Sequence, residues 1–243
     1  MRKALSGLLL LVLAALGSAC TTTKVLKPEV TAAIDPAAAK ILVLPLDVEL
    51  YVLEAGGLTA PRADWTKAAK EHVATAVRDR LDSSKAAFVV GQEELLAADS
   101  KHLQLFKLHE AIGNAIYNHQ AGGAQGQAAI LPTLKKGFDW TLGEGVQALA
   151  ADTGANYALF VHIRDSYATA GRKAAMVGAI LVAGITGVYI PVGTGVRTGF
   201  ASLVDLKTGQ VAWFNRLYSE TGDLREAEPA AKAAGVLLKD LPL

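Results

Sequence analysis

The sequence predicts an α/β (α+β) fold: one mixed sheet of about four to five strands with helices packed on it, and an apolar insertion before a final hairpin. Three observations lead there. Short apolar runs at residues 41–44 (ILVL), 86–90 (AAFVV) and 156–163 (NYALFVHI) have the length and composition of strands. Stretches of helical period separate them, and the chain nears its end on two apolar arms around an Asp-to-Gly turn.

Taken in order, Ile41-Leu42-Val43-Leu44 is a continuous apolar run, which suits a strand covered on both faces. After Pro45, Leu46, Val48, Leu50 and Val52 alternate with Asp47, Glu49 and Tyr51, the pattern of a strand with one wet face. Gly56-Gly57 and Pro61 break the chain, and Asp64 is placed to cap a helix. Trp65, Ala69, Val73, Val77 and Leu81 then recur at four-residue steps, with Lys67, Lys70, Glu71 and Arg78 between them. A second strand follows at 86–90, a helical start at 93–98, and a helix whose apolar face is Leu105, Leu108, Ile112 and Ile116. Residues 121–139, with Gly122-Gly123, Gly126, Pro132 and Gly137, read as a loop, and 141–151 as a short helix ended by Gly154. The third strand is 156–163. The hairpin has arms at 200–204 and 211–214, with Gly209 supplying the positive φ of its turn, and 226–239 closes the chain as a helix.

Between third strand and hairpin, Ala174 to Val196 carries no charge in 23 residues, while Arg172-Lys173 precede it and Arg197 follows. Its length suits a membrane span, yet a single crossing would put two strands of one sheet on opposite sides. Four readings stay open: a buried helix or helical hairpin, an insertion that enters the membrane or mediates self-association, a membrane β-hairpin, and a span. A bare apolar patch of this size promotes association, so it is expected to be covered by the core, a neighbouring subunit or lipid; outside the core reading, Met176, Val177, Ile180, Leu181, Val182, Ile185, Val188, Tyr189 and Ile190 are the membrane or subunit contacts.

The amino terminus carries the clearest functional signal. Met1-Arg2-Lys3 is basic, Leu8 to Leu16 has no polar side chain, and Gly17, Ser18 and Ala19 are small. That is the secretory signal pattern, too short to span a bilayer. Cys20 follows at once and is the single cysteine of 243 residues, so it has no internal disulfide partner. Leu16-Gly17-Ser18-Ala19-Cys20 resembles a bacterial lipobox, although Gly17 stands where the common pattern has Leu and Leu16 sits one position further back. The resemblance implies cleavage after residue 19, acylation of Cys20 with fatty (palmitate-type) chains, and, with Thr21 next rather than Asp, sorting to the outer membrane. Two or three chains on one residue hold firmly where one holds only reversibly. Residues 20–39, with Thr21-Thr22-Thr23, Pro28 and Pro36, read as a lipidated tether, and 40–243 as a single periplasmic domain with its insertion at 172–197.

Losing residues 1–19 removes Arg2 and Lys3, leaving 22 Lys+Arg against 23 Asp+Glu. No basic excess remains to hold a phosphate backbone, which argues against nucleic acid. With 51% hydrophobic residues a proper core can form. The segments KILVLPLDVEL, ANYALFVHI and SLVDLKTGQVAWFN, with a helix and a strand ending FVV between the first two, look like a small periplasmic α/β domain. It is similar to the domain of the curli-secretion-channel lipoproteins, the lipoproteins that activate peptidoglycan synthases and the amino-terminal domain of the Tol-system propeller protein. The likeness covers roughly residues 40–218 and implies a non-enzymatic role in binding or assembling envelope proteins.

Motifs for chemistry are weak. His109-Glu110-Ala111-Ile112-Gly113 begins like the zinc-protease HExxH, but Gly113 occupies the second ligand position. His102 and His109 therefore read as surface histidines, with no metal site. Gly143-Glu144-Gly145-Val146-Gln147-Ala148 matches a loose dinucleotide pattern without a convincing strand before it, so no cofactor is expected. Trp65, Trp140 and Trp213 read as packing residues. The most polar cluster near a strand end is Asp165, Tyr167 and Arg172, a possible polar site in which Asp165 holds a turn and Arg172 starts a helix or hairpin. The expectation is thus a non-catalytic outer-membrane lipoprotein facing the periplasm, with the membrane, other envelope proteins and copies of itself as partners. The alternatives are an oligomeric secretion pore with 172–197 as its membrane hairpin, and an envelope hydrolase built around Asp165, His162 or His109.

Overall fold

The computed structural model describes residues 21–29, 34–123, 131, 137–187, 193 and 195–243. Cys20, the signal segment 1–19, and Val188, Tyr189 and Ile190 lie outside the described residues. The chain is a mixed α/β structure around one sheet. Its elements are β1 (Thr22–Leu26), β2 (Lys40–Val43), β3 (Asp47–Leu53), β4 (Thr59–Pro61), α1 (Ala63–Asp82), β5 (Ala87–Val90), α2 (Lys101–His119), α3 (Gln147–Thr153), β6 (Tyr157–Ala168), α4 (Ala170–Thr186), β7 (Arg197–Asp205), β8 (Val211–Ser219) and α5 (Ala227–Leu237).

The sheet has eight strands among the described residues, in the order β1-β8-β7-β6-β2-β5, with β3 also on β6 and β4 on β3. The count exceeds the expected four to five for identifiable reasons. Pro45 cannot donate to a ladder, so the run from 40 to 53 divides. β2 then pairs in parallel with Tyr157–Leu159 and β3 in parallel with His162–Ala168 of the same long strand. The short β4 folds back on β3. The hairpin arms extend beyond their apolar centres, with Arg197 opposite Ser219. Thr22–Leu26, read as tether from its polar composition, instead pairs antiparallel with Tyr218–Phe214; an edge strand needs its partner's backbone more than an apolar pattern.

Both faces of the sheet are covered. Ile41, Val43, Val48, Leu50, Leu159, Val161 and Ile163 pack under α1 and α5. Leu42, Leu44, Ala158, Phe160, Phe200 and Phe214 pack under α2 and the segment from Phe138 to Leu149. α1 buries Ala69, Val73, Val77 and Leu81, the stripe its period predicts. Asp64 lies in its first turn, where its charge favours the helix dipole; it grips Arg62 at 2.7 Å and makes no cap.

α2 differs from expectation in its rotation. Leu108 is exposed, and the buried line is His102, Leu105, His109, Gly113, Ile116 and Tyr117. Gly113 accounts for the close packing: a Cβ there would meet the Phe200 ring at 2.1 Å. The residue that spoils the zinc motif is thus the point where α2 rests on the sheet. At the hairpin turn Gly209 has φ +77°, and a Cβ would lie 2.2 Å from the Gly143 carbonyl oxygen, which only glycine tolerates.

Candidate functional site

β6 carries functional groups to both faces because side chains alternate along a strand. Asp165 and Tyr167 share the face of Ile163, toward α1 and α5; His162 and Arg164 share the opposite face, toward α2. The hydrolase constellation of Asp165, His162 and His109 is therefore divided by the sheet.

On the first face, Asp165 is buried rather than holding a turn. Arg197 Nε donates to its Oδ2 at 2.7 Å, the Tyr167 hydroxyl donates to the same oxygen at 2.7 Å, and the Ser166 amide donates to Oδ1 at 2.8 Å. Arg197 also reaches the Thr221 carbonyl at 3.2 Å and the Tyr167 oxygen at 3.2 Å, and the Leu224 amide donates to Tyr167 at 2.7 Å. Burial pushes the Asp165 carboxyl above its ordinary value against the pull of Arg197. Burial, then the charge of Asp165, raises the Tyr167 phenol well above its ordinary value. The network fastens β6, β7 and the chain after β8 into one end of the sheet. Arg197 is its central cation, which reading the sequence missed because 32 residues separate it from Asp165. Arg172 stands apart: in the first turn of α4 it donates to the carbonyls of Gly193 at 3.0 Å and Ala55 at 3.3 Å, while Thr169 caps the helix by accepting from the Arg172 amide.

Above this network lies an open cleft of about 540 Å³ whose rim includes Arg62, Trp65, Lys173 and Arg225. The Arg62 and Arg225 guanidiniums each lie 4.3 Å from the Trp65 ring, and Trp65 meets Tyr167 edge-on at 5.9 Å. Trp65 thus packs as expected, and so do Trp213, which is buried, and Trp140, whose Nε1 donates to Gln120.

On the opposite face the histidines are interior, correcting their reading as surface residues: His102 and His109 are both buried. His109 stacks on Phe160 at 4.0 Å and contacts the Ser202 hydroxyl. Burial, aided by the nearby His162, holds its pKa down to about 3. Ser202 is buried as well, so this serine–histidine pair is closed to substrate. Asp47, Glu110 and His162 bring ligating atoms within 4.8 Å of one another. Arg164 already fills that space, with Asp47 at 2.8 Å and Glu49 and Glu110 both at 3.4 Å, and His162 Nδ1 is engaged by Asp47 at 2.9 Å. Burial alone would raise the Asp47 carboxyl, but hydrogen bonds from His162 and Arg164 outweigh it and keep it far below the usual range. These groups form a satisfied ion cluster, and the donor set does not fit a metal unless Arg164 is displaced. Gly143–Ala148 is preceded by a single bridging residue, Thr141, and itself forms a 3-10 turn at Glu144–Val146 that runs into the seven-residue helix Gln147–Thr153, which is not the strand–turn–helix that cradles a dinucleotide.

The insertion is the other departure. Residues 170–186 form α4, so neither the core-helix reading nor a membrane β-hairpin holds for them. No residue of α4 is buried. Val177 is 54% exposed, Leu181 63% and Ile185 85%, and Ile180 and Val182 are also exposed. No helix among the described residues is long and apolar enough to cross a membrane.

No protein-family profile matches the chain, and no curated protein matches it. Among solved structures it is similar to the PelC dodecamer from Paraburkholderia phytofirmans, at 12% identity and a TM-score of 0.43 over 92% of this chain and 98% of that one. The L103M form of that dodecamer matches with the same identity and score over 92% and 99% of the two chains.

Proposed function

We propose that this chain is a lipoprotein of the bacterial cell envelope, acylated at Cys20 and held at the outer membrane facing the periplasm, where its domain binds or assembles other envelope proteins without catalysis. The observation that carries the reading is the amino-terminal order: a basic start, an apolar core, small residues and then the chain's one cysteine. Residues 1–19 would be the signal peptide and 20–39 the lipidated tether, of which Thr22–Leu26 pairs with β8. The separation of Asp165 from the histidines and the closed Ser202–His109 pair support a non-catalytic role, and the bare apolar helix α4 supports contact with a membrane or another chain.

The test is the intact mass of the protein extracted from membranes, beside a Cys20→Ala variant. Loss of residues 1–19 with gain of acyl mass, absent in the variant, is expected. A mature protein without acyl mass in the soluble fraction would overturn the assignment.

A further inference from the structure

We infer that the end of the sheet at which α4 emerges is a bilayer-docking surface, with α4 entering one leaflet of an anionic phospholipid membrane as a second anchor beside Cys20. The inference builds on the lipoprotein reading above.

The topology places the parts together. β1 starts at Thr22, opposite Tyr218 near the end of β8; Ser219, the last residue of β8, faces Arg197, the first of β7; and β6 ends at Ala168, beside Leu53 of β3. Thr21 is tied to this end through its hydroxyl, 2.8 Å from that of Ser219. β1 and β6 are separated by β8 and β7, so at about 4.8 Å per strand the start of β1 lies about 15 Å across the sheet from the line of β6. Cys20 adds two residues, at most about 7 Å. Thr22 is level with Arg164 through Tyr218 and Thr198, and β6 runs on four residues, about 13 Å, to the base of α4, so an acyl group on Cys20 and α4 leave the same end of the sheet.

The chemistry of α4 selects lipid as the occupant. From Ala174 to Gly187 it carries no charge, and at about 1.5 Å per residue that length is about 20 Å, enough for one leaflet of a hydrocarbon core about 30 Å thick and short of a span. Its exposed apolar residues, Val177, Ile180, Leu181, Val182 and Ile185, are spread around more than half of the helix circumference at about 100° per residue. A groove on a protein partner contacts one stripe; lipid contacts every side. Arg172 and Lys173 stand at the start of the helix, with Arg62 and Arg225 on the adjoining cleft rim. Arg62 is paired with Asp64 and Arg225 with Asp223, so Arg172 and Lys173 at the base of the helix are the cations placed to meet phospholipid phosphates.

The test uses unacylated protein, so that its outcome is independent of Cys20 acylation. All described elements lie within residues 21–243, and a chain starting at residue 20 with Cys20→Ala has no cysteine left. Leu181→Cys then takes a single NBD label, and Lys207→Cys, exposed in the β7–β8 turn at the opposite end of the sheet, takes the control label. Mixing with phosphatidylethanolamine–phosphatidylglycerol vesicles should blue-shift the label at 181 and raise its intensity severalfold, leave the label at 207 unchanged, and be weakened about tenfold by Ile180→Asp with Ile185→Asp. Arg172→Glu with Lys173→Glu should reduce binding to vesicles containing phosphatidylglycerol more than to neutral ones. A label at 181 that ignores vesicles would overturn the inference, and so would one that responds to protein concentration without lipid, which would make a second copy of the chain the occupant. Intact mass lacking acyl chains would defeat the lipoprotein assignment and leave this measurement standing.

Discussion

Replacing Arg197 by Met isolates what the buried network contributes. Both side chains of the Arg197–Asp165 pair are 4% exposed, and Met keeps much of the arginine's apolar volume while removing the charge. Removing one partner of a buried pair leaves the other uncompensated, at a cost of about 3–5 kcal/mol. For a domain of this size each kcal/mol lowers the melting temperature by about 2–4 °C, so a fall of about 6–20 °C follows. Burial already holds the Asp165 carboxyl above its ordinary value, so the folded chain keeps a proton that the unfolded chain releases. Stability from this group is therefore fullest below about pH 4 and falls as pH rises through the raised value. Without Arg197 the carboxyl rises further, and the deficit of the variant should shrink on acidification. Urea denaturation at neutral and acid pH, with Asp165→Asn added to Arg197→Met, reads this directly: the second change should recover most of the loss at neutral pH. A loss under about 1 kcal/mol, or one equal at both pH values, would refute the assignment of Asp165 as a charge that Arg197 neutralises.

Three further outcomes are expected. His109 stays neutral in the fold down to about pH 3, while the unfolded chain protonates below about 6.5, so stability is lost as pH falls from there by about 1.4 kcal/mol per unit. His109→Gln should flatten that slope in urea midpoints taken between pH 7 and 5. Gly113→Ala places a methyl against Phe200 and should cost about 1–3 kcal/mol, partly regained with Phe200→Leu in thermal melts. Gly209→Ala meets both a positive φ and the Gly143 carbonyl and should destabilise by about 1–3 kcal/mol, whereas Gly178→Ala, with open space around its α-carbon, should leave the melting temperature unchanged or raised.

Periodicity made most of the architecture legible. The four-residue stripe of α1, the doubly apolar β2 and the Asp-to-Gly hairpin each state locally which face is covered, and the α/β class follows from their order. The proposed lipidation rests on sequence alone, because the resemblance to a lipobox is carried by a run of adjacent residues. Other features arose only from contact across the chain. β1 looks like tether until β8 supplies its hydrogen bonds. Arg197 looks like the flank of an apolar stretch until β7 lies beside β6 and brings it to Asp165. His109 looks superficial because imidazole is polar, yet stacking on Phe160 and the Ser202 contact make it interior. The fate of the apolar insertion could not be read from hydropathy, which reports how strongly residues avoid water but not what covers them. The tertiary structure decided it by filling both faces of the sheet with α1, α5 and α2, so that α4 finds no room in the core and is left outside it.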